Sequence, residues 1–243
     1  MNTWNGFICE SFTFEEKQAY VVLPNINTNG VLALKTEYWD AFPNAIEIPL
    51  LNAGFKLCYI ENNNRWGITE DLERKARFVR FVQEKYKLKD KCVPIGMSCG
   101  GLIAIKFAAA YPELVSCMYL DAPVLNYMSC PCGFGIGNSL NVDYSEILNA
   151  LSLDSISELI AYRDMPLDKI PKLVEERIPA VIVAGDSDLV VPFVENGVFL
   201  KRAYEAAEID IEVYMKPGCE HHPHGLDDPT APLQFILRKA VYH

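Results

Sequence analysis

Along the chain, short apolar runs alternate with segments of helical periodicity, separated by polar turns. Phe7–Phe14 and Gln18–Leu23 alternate apolar and polar residues around Glu15-Glu16-Lys17, which predicts an N-terminal hairpin at a sheet edge. Pro24 ends the second strand, and Asn25–Gly30 is a polar loop with strong turn chemistry. Residues Leu32–Phe42 read as a helix stopped by Pro43-Asn44, and Phe55–Ile60 as a strand led in by Gly54. After the polar loop Asn62–Gly67, Thr69 opens a helix. Glu70 and Asp71 lie in its first turn, and Leu72, Ala76, Val79 and Val82 or Gln83 follow at helical spacing.

The pattern then becomes strand, turn, helix. Lys91–Ile95 is short and apolar, Gly96-Met97-Ser98-Cys99-Gly100 follows, and Leu102–Ala110 is alanine-rich before Tyr111-Pro112. Leu114–Leu120 predicts the next strand, ending at Asp121-Ala122-Pro123. Val124–Arg177 carries no strand signal, only short helical pieces around 144–151, 154–162 and 167–176. This predicts a small helical cap, roughly 124–177, inserted into one domain spanning 1–243. Ala180–Ala184 is a strong buried strand, Phe193–Ala207 a helix, Ile209–Lys216 a strand and Thr230–Val241 a closing helix. Strands alternating with helices predict an α/β fold with a mostly parallel sheet covered on both faces.

Composition fits one sizeable core: 243 residues, half of them hydrophobic. The net charge of −10 argues against nucleic acid or an anionic membrane surface as partner, because both demand a basic patch. The first ten residues show no signal-peptide pattern, and no apolar run reaches membrane-spanning length. The expectation is a cytoplasmic protein whose eight scattered cysteines are reduced; Cys130-Pro131-Cys132, the one close pair, lacks the paired repeat of a zinc site. Oligomeric state is not written in the sequence, beyond an edge hairpin able to pair with another chain.

The chemistry centres on Gly-x-Ser-x-Gly. A turn between strand and helix with small flanking residues forces Ser98 into a strained conformation and lifts its hydroxyl above the sheet. The helix start behind it supplies free backbone N–H groups for a developing oxyanion. A serine needs a base, and the base an orienting carboxylate. Acid candidates are Asp188 and Asp186, in the loop after the Ala180 strand, and Asp121. Of the four histidines, three lie together after the last strand, at His221, His222 and His224; the fourth is His243. Three histidines in four residues can bind a cation, but no other ligand clearly completes such a site, so a catalytic base is expected and no metal or cofactor.

Three longer stretches sharpen this. They are Gly96–Leu102, Tyr119-Leu-Asp-Ala-Pro-Val124, and Lys216-Pro-Gly-Cys-Glu-His-His-Pro-His-Gly-Leu-Asp-Asp-Pro229. With the order Ser, Asp, His, the chain from about Tyr20 to Leu237 resembles the α/β-hydrolase superfamily, in particular bacterial esterase-like members associated with carbohydrate use. The resemblance implies an α/β-hydrolase fold and a serine esterase acting through an acyl-enzyme on a small ester, short-chain or carbohydrate-linked; the alternatives are amide, thioester or lactone cleavage by the same triad, or a non-catalytic binding protein of that fold. It maps the acid of Gly-x-x-Asp-x-x-Val-Pro onto Asp188 and the base, three residues after a glycine, onto His221; His222 and His224 become loop-shaping or pocket residues. The chain departs from that pattern in having Cys99 where arginine is frequent, and Cys219-Glu220 where small residues are usual. The oxyanion hole is expected from the Cys99 N–H and an amide of the Asn25–Gly30 loop, Ile26 or Asn27. Tyr127, Met128, Phe134 and Ile136 of the cap are expected to wall the substrate pocket.

Overall fold

The computed structural model describes residues 2–138 and 144–242; His243 lies outside them. Among the described residues nine strands form one sheet: β1 (Asn2–Trp4), β2 (Phe7–Phe14), β3 (Lys17–Leu23), β4 (Leu32–Lys35), β5 (Lys56–Ile60), β6 (Cys92–Met97), β7 (Met118–Asp121), β8 (Ala180–Gly185) and β9 (Ile211–Lys216). They lie in the order β1-β2-β3-β5-β4-β6-β7-β8-β9. The β1–β2, β2–β3 and β3–β5 pairs are antiparallel and every other pair is parallel.

Helices cover both faces. They are α1 (Glu47–Asn52), α2 (Thr69–Tyr86), α3 (Cys99–Ala110), α4 (Tyr144–Leu151), α5 (Ile156–Ala161), α6 (Ile170–Glu175), α7 (Gly197–Ala206) and α8 (Thr230–Ala240). Alternate residues of each parallel strand face opposite sides. Thus Leu32, Leu34, Ala180 and Ile182 join α2, α3 and α7 in one apolar cluster. Ala33, Val181 and Val183 join α1 and α8 in the other. Buried Ile147, Leu159 and Leu173 attach the segment between β7 and β8 to the first cluster. No helix among the described residues is long and apolar enough to cross a membrane.

The expected N-terminal hairpin, elbow strand and following helix appear in place. The expected helix over 32–42 does not. Leu32–Lys35 is a fully buried parallel strand between β5 and β6, followed by an irregular loop to α1. A four-residue apolar run buried on both faces carries no period of its own, so sheet pairing decides what local pattern cannot. Strand β1 was not foreseen, and α7 begins at Gly197 after a short 3-10 turn over Phe193–Glu195.

The turn between β6 and α3 is as tight as its glycines suggest. Ser98 has φ 53° and ψ −120°, a strained left-handed conformation for a side-chain-bearing residue. A Cβ on Gly96 would lie 2.2 Å from the Gly100 carbonyl oxygen. That clash is with backbone and cannot be relieved by rotating a side chain. Gly96→Ala is expected to lower stability by about 1–3 kcal/mol or more and to displace Ser98, which urea denaturation and kinetics of the same variant would read together.

Candidate active site

Three loops at the carboxyl edge of the parallel strands meet: the β6–α3 turn, the loop after β8 and the loop after β9. The His221 Nε2 lies 3.1 Å from Ser98 Oγ, and its Nδ1 lies 2.8 Å from Asp188 Oδ2. The Val190 and Val191 N–H groups each donate to Asp188 Oδ1 at 2.8 Å. Asp188 and His221 are both buried. When Nδ1–H donates to Asp188, the Nε2 lone pair faces the serine hydroxyl, the arrangement that activates a nucleophile.

Burial opposes the Asp188 charge, but the His221 hydrogen bond, the attraction to its ring and the two backbone N–H groups outweigh it and hold the carboxyl below its ordinary value of 3.8. A carboxyl depressed on folding stabilises the protein fully above its unfolded value, and that contribution disappears as the pH falls through the lower folded value. Wild-type stability is therefore expected to drop on acidification below about pH 4 more steeply than that of Asp188→Asn, measured by Tm against pH.

The loop carrying His221 is pressed onto the end of β8. A Cβ on Gly185 would lie 2.2 Å from the Cys219 carbonyl oxygen, so only glycine admits the loop there. Asp186 is exposed and ties the same loop, accepting from the Gly218 N–H at 2.7 Å and the Ser187 hydroxyl at 3.0 Å. It does not approach His221. Asp121 is engaged elsewhere: its Oδ1 lies 2.8 Å from His224 Nδ1, and its Oδ2 accepts from the Gly225 N–H at 2.6 Å. Of the three carboxylates considered from sequence, only Asp188 contacts His221.

A cleft of about 350 Å³ opens beside Ser98. Its walls are Tyr38, Ala41, Phe42, Met97 and Val190, with the three histidines. His222 and His224 line the cleft; the four cap residues are not among its walls. Tyr127 is fully buried, with its hydroxyl 3.4 Å from the Trp66 carbonyl oxygen. Met128 packs against the core. Phe134 and Ile136 are exposed at 59% and 63%, and Glu195 accepts from the Ile136 N–H and the Ser129 hydroxyl on either side of Phe134.

Ile26 and Asn27 are also misplaced. Strand β3 is antiparallel to β5, so the loop after it emerges at the opposite edge of the sheet from Ser98. On the side of β6 away from β7, the strand whose carboxyl end adjoins Ser98 is β4, and its following turn docks on β6 and α3: the Thr36 hydroxyl shares its hydrogen between the Gly100 carbonyl at 2.7 Å and the Ile95 carbonyl at 2.9 Å. This turn, which carries Tyr38, lies inside the span 32–42 whose pattern predicts a helix. Beneath it the buried Lys35 ammonium pairs with buried Glu47 and donates to the Ala41 carbonyl at 3.0 Å, bracing the loop that supplies Ala41 and Phe42. Cys99 contributes more than backbone. Its thiol is buried and hydrogen-bonds the Tyr38 hydroxyl, and burial above all pushes its pKa up. No disulfide joins any of the eight cysteines.

No protein-family model matches the chain, and no curated protein matches it significantly. Solved structures do. An acylaminoacyl peptidase of Pyrococcus horikoshii superposes with a TM-score of 0.74 at 14% identity, over 98% of this chain and 42% of that one. Dipeptidyl peptidase 4 of Porphyromonas gingivalis gives 0.69 at 14% identity, over 98% and 36%. This chain therefore spans less than half the length of either peptidase. A truncated carbohydrate esterase from gut microbiota gives 0.71 at 17% identity, over 96% of both chains. An α/β-hydrolase enzyme from lagoon-sediment metagenome gives 0.57 at 14% identity. Strand order, parallel core and these likenesses together identify the architecture as the α/β-hydrolase fold.

Proposed function

We propose that the protein is a serine hydrolase that cleaves a carboxylic ester through an acyl-enzyme, with Ser98 as nucleophile, His221 as base and Asp188 as orienting acid. The observation that carries this reading is the hydrogen-bonded line from Ser98 through His221 to Asp188, opening on a cleft. Ser98 Oγ attacks the ester carbonyl while His221 Nε2 takes its proton. The same proton then passes to the leaving alkoxide as the tetrahedral intermediate collapses. Water, deprotonated by His221, attacks the acyl-enzyme and releases the acid. Asp188 keeps the imidazole in the tautomer that presents Nε2 and stabilises the imidazolium.

The oxyanion is held by the Cys99 N–H at the start of α3 and by an amide of the turn after β4. Within that turn the Thr36 N–H already donates to the Ile95 carbonyl at 3.0 Å and the Tyr38 N–H to Glu37 Oε1 at 3.3 Å, which leaves the Glu37 N–H as the second donor.

A short acyl group on a carbohydrate-like alcohol is the substrate class favoured. Ala41, Phe42, Met97 and Val190 give the small cleft an apolar wall. The end-to-end similarity to a carbohydrate esterase supports the alcohol; the peptidases, by contrast, are matched over less than half their length. A panel of p-nitrophenyl esters of increasing acyl length, run beside aminoacyl p-nitroanilides, tests this. Turnover should be highest for the two- to four-carbon acyl esters, with the anilides inert; preferential anilide cleavage would assign the site to peptide chemistry.

A further inference from the structure

The three clustered histidines form a unit that the Ser98–His221–Asp188 line does not account for. Their ring centres are 4.8, 5.0 and 4.9 Å apart, with each pair of rings steeply inclined at 63°, 79° and 89°. Three imidazoles bound tetrahedrally to one zinc ion at 2.0–2.1 Å place their ring centres about 5 Å apart. The candidate ligand atoms already lie within 4.8 Å of one another. A coordination sphere brings them to about 3.3 Å, which requires the three rings to turn towards a common point.

The groups behind the rings strengthen the case. Histidine ligands of metals characteristically give their other ring nitrogen to a carboxylate, which fixes the tautomer and raises ligand basicity. Here two of the three do so: His221 Nδ1 is on Asp188 and His224 Nδ1 is on Asp121, each at 2.8 Å and each carboxylate buried. Nε2 is the remaining ring nitrogen of both, and that of His221 lies on Ser98 Oγ. His222 is exposed and stacked on Phe42 at 5.5 Å, at the mouth of the cleft, where an ion arrives from solvent.

We propose that His221, His222 and His224 bind a divalent transition-metal ion of zinc type, and that the bound ion withdraws His221 from Ser98. The His221 Nε2 lone pair cannot accept the serine proton and coordinate a metal at once. Occupancy and catalysis are then mutually exclusive, and the site is an inhibitory metal switch. Zinc suits imidazole nitrogen, whereas magnesium prefers oxygen and is not retained. The inhibitory consequence rests on the hydrolase reading; the binding itself does not.

Calorimetric titration of zinc into wild type and Ser98→Ala separates the two. One ion per chain should bind to both proteins, with no binding of magnesium, and wild-type ester turnover should fall with occupancy and recover on adding EDTA. His222→Ala should weaken binding at least about tenfold. Asp121→Asn, which keeps all three imidazoles but removes the carboxylate behind His224, should weaken it about 10- to 100-fold. Cys219→Ser should bind zinc as wild type does. Absence of zinc binding, binding indifferent to both His222→Ala and Asp121→Asn, or binding lost in Cys219→Ser would overturn the site. Zinc bound with the expected variant pattern but without effect on turnover would overturn the switch. If no ester is hydrolysed at all, calorimetry still decides the site.

Discussion

Ser98→Ala should lower ester turnover about 10^4- to 10^6-fold, with its circular dichroism and Tm close to wild type. The hydroxyl is the only atom removed, from a turn whose geometry is imposed by backbone packing around Gly96 and Gly100. His221→Ala should lose a similar factor, because without a base the serine remains a neutral alcohol. The two act as a unit, so the double variant should be scarcely worse than either single one. Additive losses would mean that His221 and Ser98 serve different steps. His222→Ala should retain far more activity than His221→Ala, since its ring reaches neither Ser98 nor an acid; the reverse order would move the base.

The second large effect is at Asp188. Asp188→Asn preserves shape, but an amide NH2 facing Nδ1 favours the tautomer with its proton on Nε2, which cannot accept from Ser98. A loss of about 10^4-fold in kcat is expected. Asp121→Asn is the contrast. That carboxylate holds His224 and the Gly225 N–H, so its loss should weaken the loop after β9 and lower Tm while leaving turnover far higher than in Asp188→Asn. A near-normal Asp188→Asn beside a dead Asp121→Asn would relocate the acid.

Much of this was legible in the sequence because it is local. The small residues around Ser98 imply a tight strand-to-helix turn, and that turn is what the structure contains. The three acids could not be ranked by spacing alone, since each lies at a strand end. What distinguishes them is which loop the β9–α8 connection rests upon, a long-range fact set in part by Gly185. The misread strand at 32–35 had a further consequence. A helix over 32–42 leaves β3 as the early strand whose following loop would adjoin Ser98, but β3 runs the opposite way and delivers Ile26 and Asn27 to the far edge. The expected pocket residues failed for a different reason. Tyr127 is as apolar as a pocket residue should be, but it is also as apolar as a core residue, and it is core. Phe134 and Ile136 look like pocket walls by composition, but both are exposed, on a segment tied to Glu195, about sixty residues further on. The pairing of His221 and His224 with separate buried carboxylates depends on two carboxylates distant in sequence and had no signal in the histidine motif itself.

The measurement that bears most directly on the central claim is intact-protein mass spectrometry after reaction with a fluorophosphonate, on wild type and Ser98→Ala side by side. Wild type should gain the mass of one phosphonyl group, mapped by digestion to the peptide containing Ser98, and the variant should gain none. Equal labelling of both proteins, or none of folded wild type, would contradict Ser98 as the nucleophile.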